Sequence, residues 1–276
     1  MTGRVPVRRT TGHARRGRSI RRASAGLSPL RAGAILVMLL TAGAMYGVSA
    51  SPIFAFRRLA IDDRRFTTEE EVRDTLDLAD GINLISLRTD DLAARLTQLI
   101  TVHGAHLSVE LPDTIRVALD ERQPIVVWQA GDRRFLVDRD GVLFASEADG
   151  PPDVLAGLRV VDDQRASSAS LAVGQTLDPV DLDAATRLGS LTPADVGSAA
   201  TGLAVLVDDE RGFVVQTVPE GWTATFGFYT PTIRTTDLIP GQVRLLRSLL
   251  GKVGESKVAT LILADDKNGT YTERKP

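Results

Sequence analysis

Residues 107–124 read Leu107-Ser108-Val109-Glu110-Leu111-Pro112-Asp113-Thr114-Ile115-Arg116-Val117-Ala118-Leu119-Asp120-Glu121-Arg122-Gln123-Pro124. Leu107, Val109 and Leu111 alternate with polar residues before Pro112-Asp113, and Ile115, Val117 and Leu119 do the same after it. Successive side chains of a strand point to opposite faces. The pattern therefore predicts two half-buried strands whose six apolar residues share one face, with Ser108, Glu110, Arg116 and Asp120 on the other. Proline presets φ and aspartate bonds its own backbone, so Pro112-Asp113 is the turn. A hairpin has no function by itself, and its meaning depends on what surrounds it.

Far upstream, residues 1–31 carry nine arginines (Arg4, Arg8, Arg9, Arg15, Arg16, Arg18, Arg21, Arg22, Arg31) and no acid. The chain's net charge of -2 becomes -11 once these nine are set aside. A basic arm of this kind suits a nucleic acid, a membrane surface or a solvated tail. The next segment decides among them. Ala32 to Ala50 is a 19-residue apolar run with no charge. As a helix it covers about 28 Å, close to the hydrocarbon thickness of a bilayer. Basic flanks stay cytoplasmic, which predicts an anchor with its amino terminus inside and the remainder outside. The arm then sets topology and touches anionic lipid, with no role in binding nucleic acid. Two alternatives compete with a retained anchor. Val48-Ser49-Ala50 would serve as a cleavage site, releasing a secreted protein, and Arg21-Arg22 is a weak twin-arginine export signal.

About 226 residues follow the apolar run, enough for two modest domains. The chain has no cysteine, which removes disulfides, thiol nucleophiles and zinc-thiolate sites. Phe54 to Ile61 is expected to be a strand. Thr67 with Glu70, or Thr68 with Glu71, offers a capping box for a helix bearing Val72 and Leu76. A second helix is expected from Thr89 or Asp90, with Leu92, Leu96 and Leu99 buried. With the hairpin, this makes a small α+β domain in which two helices cover one face of a three-stranded sheet.

Beyond Pro124 the rhythm is of short strands, at 125–129, 134–137, 142–144, 158–161, 203–207, 212–218, 222–226, 258–263 and 270–273. Asp138-Arg139-Asp140-Gly141 reads as a hairpin turn. Asp178-Pro179 starts one helix, and Pro240 to Leu250, with Val243, Leu246 and Leu250 on one face, forms another.

Catalytic and metal chemistry is sparse. His103-Gly104-Ala105-His106 has an H-x-x-H spacing, but His106 falls on the outward face of a strand. Asp138 and Asp140 begin a calcium-like loop that lacks its closing carboxylate. Asp62-Asp63, Asp208-Asp209 and Asp265-Asp266 sit in turns between strands. There is no G-x-S-x-G, H-E-x-x-H or G-x-x-x-x-G-K-[ST]. Trp128 and Trp222 fall on strands, where they are expected in the core. The residues point to no catalytic group, no metal and no cofactor.

The layout resembles the bacterial division protein family FtsQ/DivIB. Gly81-Ile82-Asn83-Leu84-Ile85-Ser86-Leu87 is similar to the family's G-x-N-L-L-x-L segment. Leu111-Pro112-Asp113-Thr114-Ile115-Arg116-Val117 and Glu121-Arg122-Gln123-Pro124 resemble its L-P-x-T-L-x-V and E-R-x-P signature, so Leu111, Pro112, Thr114, Glu121, Arg122 and Pro124 are its structural markers here. Trp128, Leu136-Val137-Asp138 and Gly141-Val142-Leu143 also fall in place. Two stretches depart from the pattern, at Asp62-Asp63 and at Leu99-Ile100-Thr101-Val102.

The resemblance implies an α+β chain in four parts: a cytoplasmic arm (1–31), a transmembrane helix (32–50), a POTRA domain of order β-α-α-β-β (54–122) and a β-rich domain with a few helices (123–276). It further implies a non-enzymatic, single-pass scaffold of the inner membrane at the division septum. Such a scaffold binds membrane division proteins of the FtsB and FtsL type and is linked through them to the septal peptidoglycan synthase. In relatives the partner adds a strand to the last strand of the β-domain, here expected at Gly269, Thr270, Tyr271, Thr272, Glu273 and Arg274. The competing readings are a secreted or anchored cell-envelope binding module, a transport POTRA protein, for which too few residues remain, and a cell-wall enzyme, for which no nucleophile constellation is present.

Overall fold

A computed structural model of the chain describes residues 29–49, 51–62 and 64–274. The basic arm as far as Ser28, the cleavage candidate at Ala50, and Asp63 lie outside the described residues. The chain divides into two units, residues 1–51 and 52–276.

The first unit is helix α1 (Pro29–Ser49), 21 residues or about 31 Å long. Pro29 opens it, at a position where the missing N–H costs no helical bond. Leu36, Met38 and Leu40 along it are exposed. The helix is long and apolar enough to cross a membrane.

In the second unit a small sheet comes first. Its elements are β1 (Arg58–Asp62), α2 (Glu69–Leu76), α3 (Thr89–Leu96), β2 (Val102–Glu110) and β3 (Thr114–Glu121). The strand order is β1-β3-β2, with β1 parallel and β2 antiparallel to the central β3. The expected first strand starts at Arg58 instead of Phe54, because Pro52–Phe54 form a short 3-10 turn. Of the two possible capping boxes the second forms. Thr68 accepts from the N–H of Glu71 at 3.2 Å, and Glu71 accepts from the N–H of Thr68 at 2.7 Å. Val72 and Leu76 of α2, with Leu92 and Leu96 of α3, pack on Leu107, Ile115 and Val117 in one core. Burying each such side chain contributes about 1.5–3 kcal/mol.

The hairpin face needs one correction. Leu111 is 59% exposed, because the turn takes in Leu111, Pro112 and Asp113 and the register closes at Glu110 opposite Thr114. The expected face keeps its other five apolar members, with Val109 and Leu119 half-buried.

The remaining strands form one nine-stranded sheet. They are β4 (Val126–Ala130), β5 (Arg133–Val137), β6 (Leu143–Ser146), β7 (Arg159–Asp163), β8 (Gly202–Asp208), β9 (Gly212–Val218), β10 (Thr223–Gly227), β11 (Val258–Leu263) and β12 (Gly269–Glu273). Their order is β12-β11-β10-β9-β8-β7-β4-β5-β6. Most neighbours are antiparallel, but β4 and β7, β7 and β8, and β10 and β11 run parallel. The helices between them are α4 (Pro152–Leu155), α5 (Pro179–Gly189), α6 (Pro193–Val196) and α7 (Ile239–Val253). Parallel neighbours need a crossover, and the segments carrying α5, α6 and α7 supply two of them.

One face of this sheet (Trp128, Val161, Val205, Phe213, Val215, Trp222, Phe226, Leu261) is buried against Leu182, Leu188, Val196, Leu246 and Leu250 of the helices. Both tryptophans are core residues, as expected from their strands. On the opposite face, at the β4–β6 end, Val127, Leu136, Phe144 and Ala145 form a smaller cluster that takes in Phe66 from the loop before α2.

Candidate partner-binding edge

The nine-stranded sheet ends in two edge strands. At the first, β6 is strapped by residues 174–177. The N–H of Leu143 donates to Gln175 O at 2.9 Å, that of Gly174 to Leu143 O at 2.8 Å, and that of Leu177 to Gly141 O at 2.9 Å. Phe144 meets the ring of Phe66 edge-on, with centroids 5.1 Å apart. This edge is paired at its start and covered at Phe144.

At the other end β12 folds back on β11 as a hairpin. The turn is built by Asp265, whose carboxylate accepts from the N–H groups of Lys267 and Asn268, both at 2.7 Å, and from Asn268 Nδ2 at 2.6 Å. The Asn268 side chain and these amides hold the Asp265 carboxyl below its ordinary value. The N–H of Ala264 donates to Asn268 O at 2.9 Å, closing the turn, and the hydroxyls of Thr260 and Thr272 bond across the pair.

Gly269 sits at a close approach. A Cβ there would sit 3.2 Å from Ile262 O and Leu245 Cδ2 and 3.3 Å from Leu249 Cδ1. The hairpin is thereby held against α7. From that helix the fully buried Gln242 donates to Phe226 O at 3.0 Å and Leu263 O at 2.8 Å, and it accepts from Tyr229 Oη at 2.7 Å. Burial pushes the Tyr229 hydroxyl pKa up.

Bonding alternates along an antiparallel ladder. With Asn268 bonded to β11, Thr270 and Thr272 share that inward side. The backbone N–H and C=O groups of Tyr271 and Glu273 therefore point away from the sheet. Four of the five β12 residues are exposed, and no strand lies beyond β12 among the described residues.

The structure thus places Gly269, Thr270, Tyr271, Thr272 and Glu273 together on one edge. Arg274 lies just past the strand, and its N–H donates inward to Lys257 O at 2.7 Å.

Of the marker residues, Leu111, Pro112 and Thr114 lie at the β2–β3 turn, whereas Glu121 and Arg122 lie where the two sheets meet. Glu121 ends β3, and its buried carboxylate accepts from three consecutive backbone N–H groups, those of Arg65 at 2.6 Å, Phe66 at 3.1 Å and Thr67 at 2.7 Å. Arg122 points to the other side, donating through Nε to Ile100 O at 3.0 Å and pairing with Asp138. Asp138 in turn accepts from the N–H groups of Asp140 at 3.0 Å and Val142 at 2.9 Å, which makes the expected turn with Gly141 at φ 82°. Asp113 bonds Arg58 at 2.7 Å, and that bond holds its carboxyl below the ordinary range.

A further cluster went unrecognised in the sequence. Burial alone would raise the Asp163 carboxyl. Donors from Arg165, at 2.8 and 2.9 Å, and Ser168, at 2.5 Å, reverse this and hold it below its ordinary value. Trp128 Nε1 also donates to Asp163, at 3.1 Å. A short D-D-x-R run at 162–165 was the available signal.

His103 and His106 are both exposed on β2, and His103 Nδ1 lies 3.8 Å from Asp140 Oδ2. Among the described residues, no three His, Cys, Asp or Glu side chains gather as metal ligands would. Asp208 bonds the backbone of Glu210 and Arg211, and Asp209 that of Ala166.

A family model of the POTRA domain, FtsQ-type, matches residues 54–122, the segment holding the small sheet and its two helices. Similarity to known proteins extends further. A cell division protein FtsQ from Mycobacteroides abscessus is 28% identical over 180 residues, 65% of this chain and 56% of that protein. The FtsQ-type POTRA match and the similarities to proteins named FtsQ support the FtsQ/DivIB family. Another FtsQ, from Chloroflexus aurantiacus, is 24% identical over 250 residues, covering 90% of this chain and 81% of the relative. The FtsQ of Mycolicibacterium smegmatis is 30% identical over 152 residues, 54% of this chain and 44% of the relative. The match thus spans about half the length of the two mycobacterial FtsQ proteins and most of the Chloroflexus one.

Proposed function

We propose that this chain is a bitopic scaffold of the division machinery, anchored by α1 with its basic arm in the cytoplasm and the two sheets outside. The parts are an arm at 1–31, a span at 32–50, a POTRA domain at 54–122 and a β-domain at 123–276. The β-domain recruits its partner, a membrane division protein of the FtsB and FtsL type, by letting it add a strand to β12. Through that partner the scaffold connects to the septal peptidoglycan synthase, with no catalytic step of its own.

The observation that carries this reading is the bare edge of β12 in a chain with an FtsQ-type POTRA match. An added strand satisfies the outward groups of Tyr271 and Glu273, giving affinity, while the alternating side chains give selectivity. The N-terminal arm and α1 contact lipid.

Pull-down of the partner by the full-length chain tests it. Truncation after Asp266 is expected to leave a membrane-inserted protein that recovers none, and a fluorescent fusion of the intact chain is expected at midcell. Full recovery by the truncated chain overturns strand addition at β12.

A further inference from the structure

The loop between β10 and α7 carries Ile233, which at 92% exposure is the most exposed large apolar side chain among the described residues. A loosely held loop would give such a side chain little binding value, since ordering it on contact would consume the gain. This loop is already ordered. The N–H of Thr230 donates to Arg234 O at 2.9 Å. Thr230 Oγ1 accepts from the N–H groups of Ile233 at 3.2 Å and Arg234 at 3.1 Å. The Arg234 guanidinium donates to Phe226 O at 2.5 Å, to Leu263 O at 3.0 Å and to Ala264 O. It also lies over the Tyr229 ring, 5.8 Å from its centroid.

These bonds also fix where the loop sits. Leu263 and Ala264 are the last residue of β11 and the first of the turn into β12, so the loop is tied to the root of the candidate hairpin. A strand laid along β12 leaves it at the Gly269 end, beside that root. Phe228 in the same loop is exposed as well.

We propose that the partner surface extends from β12 onto loop 228–235, where Ile233 anchors an apolar side chain of the polypeptide that adds the strand. The inference rests on the strand-addition reading. The occupant is that same chain, in the segment leaving the Gly269 end, because Arg234 ties the loop to Leu263 and Ala264, which lead into the β11–β12 turn. A preformed anchor beside a backbone-paired strand adds affinity and fixes register, since sliding the strand by one residue would withdraw the apolar side chain from Ile233.

The test uses the full-length chain in detergent and a purified partner pair of the FtsB and FtsL type from the same organism, with affinity and melting midpoint measured for Ile233→Asp, Ile233→Val and Tyr271→Pro. Ile233→Asp is expected to weaken binding about tenfold or more, Ile233→Val to stay near wild type, and both to melt as wild type. Tyr271→Pro removes an outward N–H without breaking the ladder to β11, and is expected to abolish binding. If Tyr271→Pro abolishes binding and Ile233→Asp binds like wild type, the anchor falls and strand addition stands. Wild-type binding by Tyr271→Pro overturns both. A loss confined to an Ile233 variant whose melting midpoint has also dropped overturns the anchor.

Discussion

β6 and β12 stand at opposite ends of the same nine-stranded sheet and are finished in opposite ways. Leu143 at the start of β6 and Gly141 just before it exchange backbone bonds with residues 174–177, and Phe144 is sealed by Phe66 from the small sheet's loop. Four of the five residues of β12 are exposed, and among the described residues no further strand lies beside it. An unpaired edge is a hazard that folds normally cover or blunt. One edge of this sheet is covered and the other is left open, and the proposed partner strand rests on that contrast.

The contrast can be broken first at β12. Tyr271→Pro is expected to remove partner recovery altogether in a pull-down while leaving the melting midpoint within a degree or two. Recovery at the wild-type level would mean that the edge is not used. The converse change, Phe144→Ala at the covered edge, is expected to cost about 3–5 kcal/mol in urea unfolding, as a buried aromatic does. Its affinity for the partner, measured where the protein is folded, should be unchanged. A variant stable to within 1 kcal/mol would show that the seal contributes little.

Glu121 sharpens the same comparison, because its carboxylate holds the loop that brings Phe66 to Phe144. Glu121→Ala leaves three N–H groups without their acceptor and is expected to cost about 1–3 kcal/mol, with Glu121→Gln losing less. Amide exchange should report the change at residues 65–67 and at β6, while β12 stays as in wild type.

The smallest effect is one of pH. Asp163, on the covered half, has a folded pKa below its ordinary value of 3.8. A depressed carboxyl contributes stability that is present above the unfolded value and lost as pH falls through the folded one. Asp181, held above its ordinary value by burial, works in the opposite direction. Acid unfolding followed below pH 4 should therefore show a loss that flattens in Asp163→Asn. An unchanged slope would remove Asp163 from the acid-sensitive groups.

What the sequence disclosed follows from the range of each signal. The hairpin 107–124, the Thr68 cap and the strands around Trp128 and Trp222 were legible because alternation and capping are local. Leu111 was misplaced by the same rule, since alternation does not say how many residues the turn consumes. The parallel neighbours β4 and β7, β7 and β8, and β10 and β11 were not legible. They join segments about 30 residues or more apart, and nothing in either strand names its neighbour. Helix α6 went unread despite its Thr192-Asp195 capping box, because four residues give no periodicity. Of the candidate site, the edge strand was readable to within one residue, through the family resemblance. The supports behind it were not. Gln242 looks like a polar interruption in an apolar helix until Phe226 O and Leu263 O are found beneath it.

Amide hydrogen exchange on the full-length chain, with and without the purified partner pair, is the most direct test of the central claim. The account predicts strong new protection of the Tyr271 and Glu273 amides on binding, with Leu143 to Ser146 unchanged. Saturated binding with Tyr271 and Glu273 exchanging as in the free protein would contradict it.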